Sequence, residues 1–199
     1  MAATVWTPAR KWLGNLIPAA VWTAFAAYGL YQIVQTKQLV GQGLIFLIIA
    51  TVAGWIALNF FGFYQNGRMR RRLTIILGKD GALPADRVFV GFASPKYTGL
   101  LDAHEDVGFL CFLPDKLVFI GENRTLEVGK GEIQKVQFRP NVHTMVGLGR
   151  WISIEGAKQD VPIRLLIEPR ERNTMLGNLR FGPNLRRKIV AWRTDAKAA

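Results

Sequence analysis

Two long uncharged stretches dominate the first third of the chain, and the pattern changes abruptly after them. Residues 12–36 and 38–67 carry no Asp, Glu, Lys or Arg, and Lys37 alone separates them. Within them, 17–34 and 44–64 read as helices that cross a bilayer, which takes about 20 apolar residues for roughly 30 Å of hydrocarbon. The first is somewhat short and is interrupted by Pro18, Thr23 and Gln32; the second is built around LIFLIIATVAGWIAL, with Thr51 and Asn59 as its polar interruptions. The competing reading, a core hairpin of a soluble protein, fits such lengths poorly. A cleaved signal peptide would leave the second stretch unexplained. The pattern predicts a membrane α-helical hairpin of two transmembrane helices.

Beyond residue 73 the chain consists of short runs of Val, Ile, Leu and Phe bounded by Gly, Pro, Asp and Asn, which predicts strands and turns. The expected strands are 73–77, 87–92, 107–113, 116–121, 125–128, 133–138, 151–155 and 161–167. Pro114-Asp115 reads as a tight hairpin turn, because proline presets the first turn dihedral. Residues 121–124, 129–131 and 156–160 read as further connections. From Glu171 onward the pattern suits a helix but breaks at Gly182-Pro183, so Pro183 is expected to open the last helix. In that helix Leu185, Ile189 and Trp192 share one face, which is expected to cover an open end of the β core. Arg186, Arg187 and Lys188 form an exposed basic face.

Charge sharpens the division. All fourteen acidic residues lie from Asp80 onward, which places a boundary near residue 67: an anchor over 1–67 and a basic domain over 68–199. Arg10 and Lys11 precede the first span and Arg68, Arg70, Arg71 and Arg72 follow the second, while the loop between them holds only Lys37. Basic residues mark the cytoplasmic side, so both termini are expected there, in a multi-pass membrane protein. The net charge of +12 raises nucleic acid as a partner, but the aromatic pattern of single-strand binding is missing, and the nearer polyanion is the cytoplasmic leaflet. The four arginines are therefore candidate headgroup contacts as well as topology signals. Small residues, Ala20, Ala24 and Ala27 on the first helix with Gly54 and Ala57 on the second, are candidate helix–helix interface positions. The single Cys111 permits no intrachain disulfide and suits a reducing compartment.

The β region resembles a known family. GFLCFL at 108–113 leads through a short turn into KLVFI at 116–120, then TLEV at 125–128 and EIQKV at 132–136. This is similar to GRAM and bacterial pleckstrin-homology-like domains, and two spans before such a domain resemble the membrane-anchored bacterial members. The resemblance covers roughly 87–193. It implies a strongly bent, barrel-like all-β sheet of about seven strands plugged by a C-terminal helix, in a bacterial inner membrane. It does not imply one ligand, since members bind lipids or proteins.

Catalytic chemistry is not expected. His104-Glu105-Asp106 is the one cluster suggestive of acid–base or metal work, but adjacent residues on an irregular segment do not converge. His143 and Cys111 would join it only if the fold brought them close. The glycines Gly147 and Gly149 lack the strand–loop–helix context of a phosphate loop and read as a turn. No catalytic, cofactor or metal site is expected. The chain is expected to be a non-catalytic scaffold subunit of a larger membrane complex (respiratory, photosynthetic, transport or secretion), with membrane lipids and other integral subunits as partners. The alternative is a membrane-anchored module that binds anionic lipid.

Overall fold

A computed structural model of the chain describes residues 5–79, 81–97, 104–145 and 149–195, without the side chains of Val142 and Met145. Backbone contacts divide it into two units, Pro8–Gln65 and a second made of Met1–Thr7 with Asn66–Ala199. Residues 5–7 therefore belong with the β unit and not with the hairpin, as the packing of Val5 and Trp6 makes plain below.

The first unit is helical. Helix α1 (Pro8–Thr36) turns at Lys37, which takes a left-handed φ of 54°, into α2 (Gln42–Ala57). A π-helical segment, Leu58–Phe63, continues α2. Pro8–Thr36 and the helical run Gln42–Leu77 are each long and apolar enough to cross a membrane. They meet through small residues. A Cβ on Gly29 would lie 2.8 Å from the Gly43 carbonyl oxygen, and one on Gly43 would lie 2.7 Å from that of Gly29. Two polar side chains inside these apolar helices return their bonds to their own helix: Thr51 Oγ1 donates to the Leu47 carbonyl and Asn59 Nδ2 to that of Trp55. That is the solution apolar surroundings require of a polar group.

The second unit begins with helix α3 (Asn66–Leu77) and continues as an antiparallel sheet. Its strands are β1 (Arg87–Ala93), β2 (Asp106–Phe112), β3 (Lys116–Gly121), β4 (Thr125–Gly129), β5 (Ile133–Arg139), β6 (Trp151–Lys158) and β7 (Val161–Pro169). A four-residue helix, α4 (Val142–Met145), precedes β6, and α5 (Met175–Thr194) ends the unit. The sheet order is β4-β3-β2-β1-β7-β6-β5. The edges β4 and β5 do not pair, so the expected barrel is not closed. Helix α5 supports the β5 edge instead: Arg186 Nε and Arg193 NH1 donate to the carbonyls of Val136 and Gln134.

The sheet's two faces explain why β2 is buried along its whole length. Leu110 and Phe112 join Val90, Phe119, Ile152, Ile167, Leu185 and Ile189 in the main core. Val107, Phe109 and Cys111 point the other way, onto Met69 and Leu73 of α3 and onto Val5 and Trp6. A strand covered on both faces loses the apolar–polar alternation of a half-exposed one.

Two expected elements are corrected. Residues 73–77 form the end of α3 and not a strand. Leu73 is one of three buried positions, Asn66, Met69 and Leu73, at helical spacing, so the apolar run is the tail of an amphipathic helix. Helix α5 does not start at Pro183 but runs through it from Met175, with Thr174 Oγ1 accepting the Gly177 N–H as its cap. An interior proline costs about 3 kcal/mol. Met175, Leu185 and Ile189 are buried on a single helical face, each contributing on the order of 1.5–3 kcal/mol, and that outweighs it. The β6–β7 turn is also tighter than expected, with Gln159 and Asp160 both at positive φ, the geometry of a two-residue hairpin.

Candidate functional site

The four arginines of α3 separate into two roles. Arg70 forms an ion pair with Glu171, whose second carboxylate oxygen accepts the Phe89 N–H at 2.9 Å. Arg68, Arg71 and Arg72 are exposed. What fixes α3 to the unit is the polar run after β7. Asn66 Nδ2 donates to the Arg172 carbonyl at 2.7 Å, Gly67 N–H donates to Asn173 Oδ1 at 2.9 Å, and Arg170 Nε donates to Asn66 Oδ1 at 3.1 Å. Residues 170–173 thus clamp the first turn of α3 while Met69 and Leu73 pack on the sheet.

Beside α3 lies an open cleft of about 540 Å³, lined by Arg70, Arg71, Ile75, Arg87, Phe109 and Glu171 among others. Arg87 stacks over the Phe109 ring at 5.5 Å and donates to the Pro84 carbonyl at 2.6 Å. Ile75 is 66 % exposed. The lining offers three guanidinium groups against one carboxylate, with apolar surface next to them.

A second constellation is buried. His104 and His143, the only histidines in the chain, converge on Glu168: His104 Nε2 lies 3.3 Å and His143 Nδ1 3.0 Å from its Oε2. Asn141 Nδ2 donates to the same oxygen at 3.0 Å. On its far side, His104 Nδ1 faces Arg170 NH1 at 3.3 Å. A guanidinium can only donate, so Nδ1 accepts and the ring proton sits on Nε2, toward the carboxylate. Burial pushes the Glu168 carboxyl up, but the charge of His143 and the hydrogen bonds from both rings outweigh it and hold the group well below the usual carboxylate range. Arg170 also covers the Trp6 ring at 4.5 Å, and Trp6 Nε1 donates to the His104 carbonyl at 3.2 Å. The N–H groups of Val5 and Trp6 grip both oxygens of Glu122, at 2.6 and 2.7 Å. The arrangement is a filled network that closes on Glu168.

His104, Glu105 and Asp106 diverge. Glu105 pairs with Arg124 at 2.5 Å, and the buried Asp106 accepts the N–H groups of Val107 and Asn123. Burial raises the Asp106 carboxyl. Cys111 lies in the cluster under α3, apart from both histidines. Among the described residues no three His, Cys, Asp or Glu side chains are placed to hold a metal ion. Gly147 lies outside the described residues. Gly149 is not a free turn residue, since a Cβ there would meet Glu168 Oε1 at 1.9 Å.

The small-residue positions also part company. Gly54 and Ala57 are buried, Gly54 with Trp22 against it. On α1 the buried residues are Pro18, Ala26 and Gly29, whereas Ala20, Ala24 and Ala27 are exposed.

No protein-family model, curated protein or solved structure matches the chain. What it does must be read from these residues.

Sequence reasoning missed Glu168, Arg170 and Trp6. Glu168 and Arg170 flank Pro169 at the end of an apolar strand, where charges ordinarily mark a solvated connection. The one available signal was that two charged residues sit so close to the apolar residues Leu165, Leu166 and Ile167.

Proposed function

We propose that the chain is a membrane-anchored, non-catalytic scaffold subunit. Segment 8–65 crosses the bilayer twice, with both ends on the cytoplasmic side of a bacterial inner membrane. The β unit is a pleckstrin-homology-like domain on that side, and α1 docks against other integral membrane subunits. One observation carries this reading: α1 has two small-residue faces, and the hairpin uses only one. At helical spacing Ala20, Ala24 and Ala27 lie opposite Ala26 and Gly29, and they stay exposed. In lipid, helices associate through close backbone approach at small residues because apolar surface alone gives no drive. The strand order and the C-terminal helix packed into the core support the pleckstrin-homology-like assignment. Arg10 and Lys11 before the spans and the arginines of α3 after them support the orientation.

Extraction in mild detergent followed by native mass measurement tests this. The full chain is expected in a particle containing other polypeptides, and a variant with Ala20, Ala24 and Ala27 changed to Leu is expected to leave it. A wild-type chain that runs as a lone monomer would overturn the proposal.

A further inference from the structure

We infer that the cleft beside α3 receives the phosphate of an anionic phospholipid, held between Arg71 and Arg87. This rests on the membrane reading above but not on the scaffold role. The arginines of the cleft are not equivalent. Arg70 is committed to Glu171, and Glu171 is itself fixed by the Phe89 N–H. Arg87 is oriented by the Phe109 ring beneath it and by the Pro84 carbonyl, which uses one of its five N–H donors. Arg71 has no hydrogen bond or ion pair among the described residues and lines the same cleft. One held guanidinium and one uncommitted guanidinium can together take a tetrahedral anion, whose oxygens match the donor geometry of arginine.

Shape and position select a lipid over a soluble phosphate. The volume of about 540 Å³ is that of a headgroup-sized site. Ile75, 66 % exposed at its rim, gives apolar contact that a free phosphate cannot use. The chain from Phe63 to Arg70 measures ~10 Å as a helix and at most ~25 Å fully extended, so the cleft stays within reach of the headgroup layer. Arg68 and Arg72 lie on the same helix but do not line the cleft, which separates a site from a diffuse basic surface.

The test is native mass spectrometry of the full chain, released from micelles holding equal phosphatidylglycerol and phosphatidylcholine. The wild type should retain phosphatidylglycerol over phosphatidylcholine by roughly thirtyfold, as two basic groups at about 1 kcal/mol each would give at an anionic headgroup. Arg71→Gln with Arg87→Gln should abolish the preference, Arg68→Gln with Arg72→Gln should keep it, and Glu171→Gln should raise it. Excess inorganic phosphate should leave the adduct in place. Equal loss in both double variants, no preference in a chain that carbonate washing shows to be membrane-integral, or displacement by inorganic phosphate would each overturn the site. A chain that washes off the membrane would overturn the membrane reading instead.

Discussion

Arg170 holds Trp6: its guanidinium lies 4.5 Å over the indole while its Nε donates to Asn66 Oδ1. Trp6 and Asn66 flank segment 8–65 in the sequence, so one buried arginine grips the β unit on both sides of the helical insertion. Changing Arg170 to Ala removes the cation from the indole face and leaves Asn66 Oδ1 and His104 Nδ1 without this donor. A loss of about 2–4 kcal/mol in the stability of the β unit is expected, read by denaturant unfolding in detergent. Trp6→Ala empties a buried position and removes the Nε1 donor from the His104 carbonyl, so it should cost about 3–5 kcal/mol. An unchanged midpoint for Arg170→Ala would show that the grip is incidental.

Gly91 exists for His104. A Cβ at Gly91 would lie 1.8 Å from His104 Cδ2, in a strand buried from Val88 to Ala93. Gly91→Ala should therefore destabilise by roughly 3 kcal/mol or more, as overpacking in a closed core does. In a His104→Ala background the same change should cost far less. The double-mutant cycle measures this non-additivity; simple additivity would mean that the ring and the strand do not compete for the space.

The acid limb of stability should report Glu168. Its carboxyl is held well below the ordinary 4.5 in the folded chain by His143 and His104, against the opposing effect of burial. A depressed acid contributes stability that is complete above about pH 4.5 and is lost as pH falls toward the folded value. The stability gap between wild type and Glu168→Gln should thus narrow steadily below pH 4.5. Glu155, which Arg139 and neighbouring hydrogen bonds lower to about 2 against the effect of burial, should behave with the same sign and a smaller amplitude. A gap independent of pH would contradict the ionised, doubly bonded carboxylate.

Cys111 should be chemically silent. Burial pushes its thiol up to about 11, so at pH 8 its thiolate fraction falls about a hundredfold below that of an ordinary thiol. Iodoacetamide should leave the folded chain unmodified over the time in which the denatured chain reacts fully. Rapid labelling of the native chain would place Cys111 outside the cluster formed with Phe109 and Leu73.

The hairpin and the seven strands were readable because each rests on local pattern: an uncharged stretch of sufficient length, or an apolar run closed by turn residues. The misread elements depend on distant partners. Residues 73–77 form a β-branched apolar run in isolation and become helical because Met69 and Leu73 find the outer face of β2. Pro183 looks like a start, yet the burial of Met175 on one side and of Ile189 on the other keeps α5 continuous. The buried network is the extreme case. His104, His143, Glu168 and Arg170 look like four solvated loop or edge residues, and only the pairing of β1 with β7 brings them together. The exposed Ala20, Ala24 and Ala27 could be nominated from sequence, but only the structure separates them from Gly54 and Ala57, which the hairpin itself consumes.

A chain that crosses the bilayer twice leaves both ends on one side, and cysteine accessibility in intact cells reads this out. In a Cys111→Ser background, a cysteine at Gln38 should react with a membrane-impermeant maleimide added outside. One at Lys158, the last residue of β6 beside the β6–β7 turn, should react only after the membrane is opened. Equal labelling of both positions, or recovery of the chain in the wash without detergent, would contradict the account.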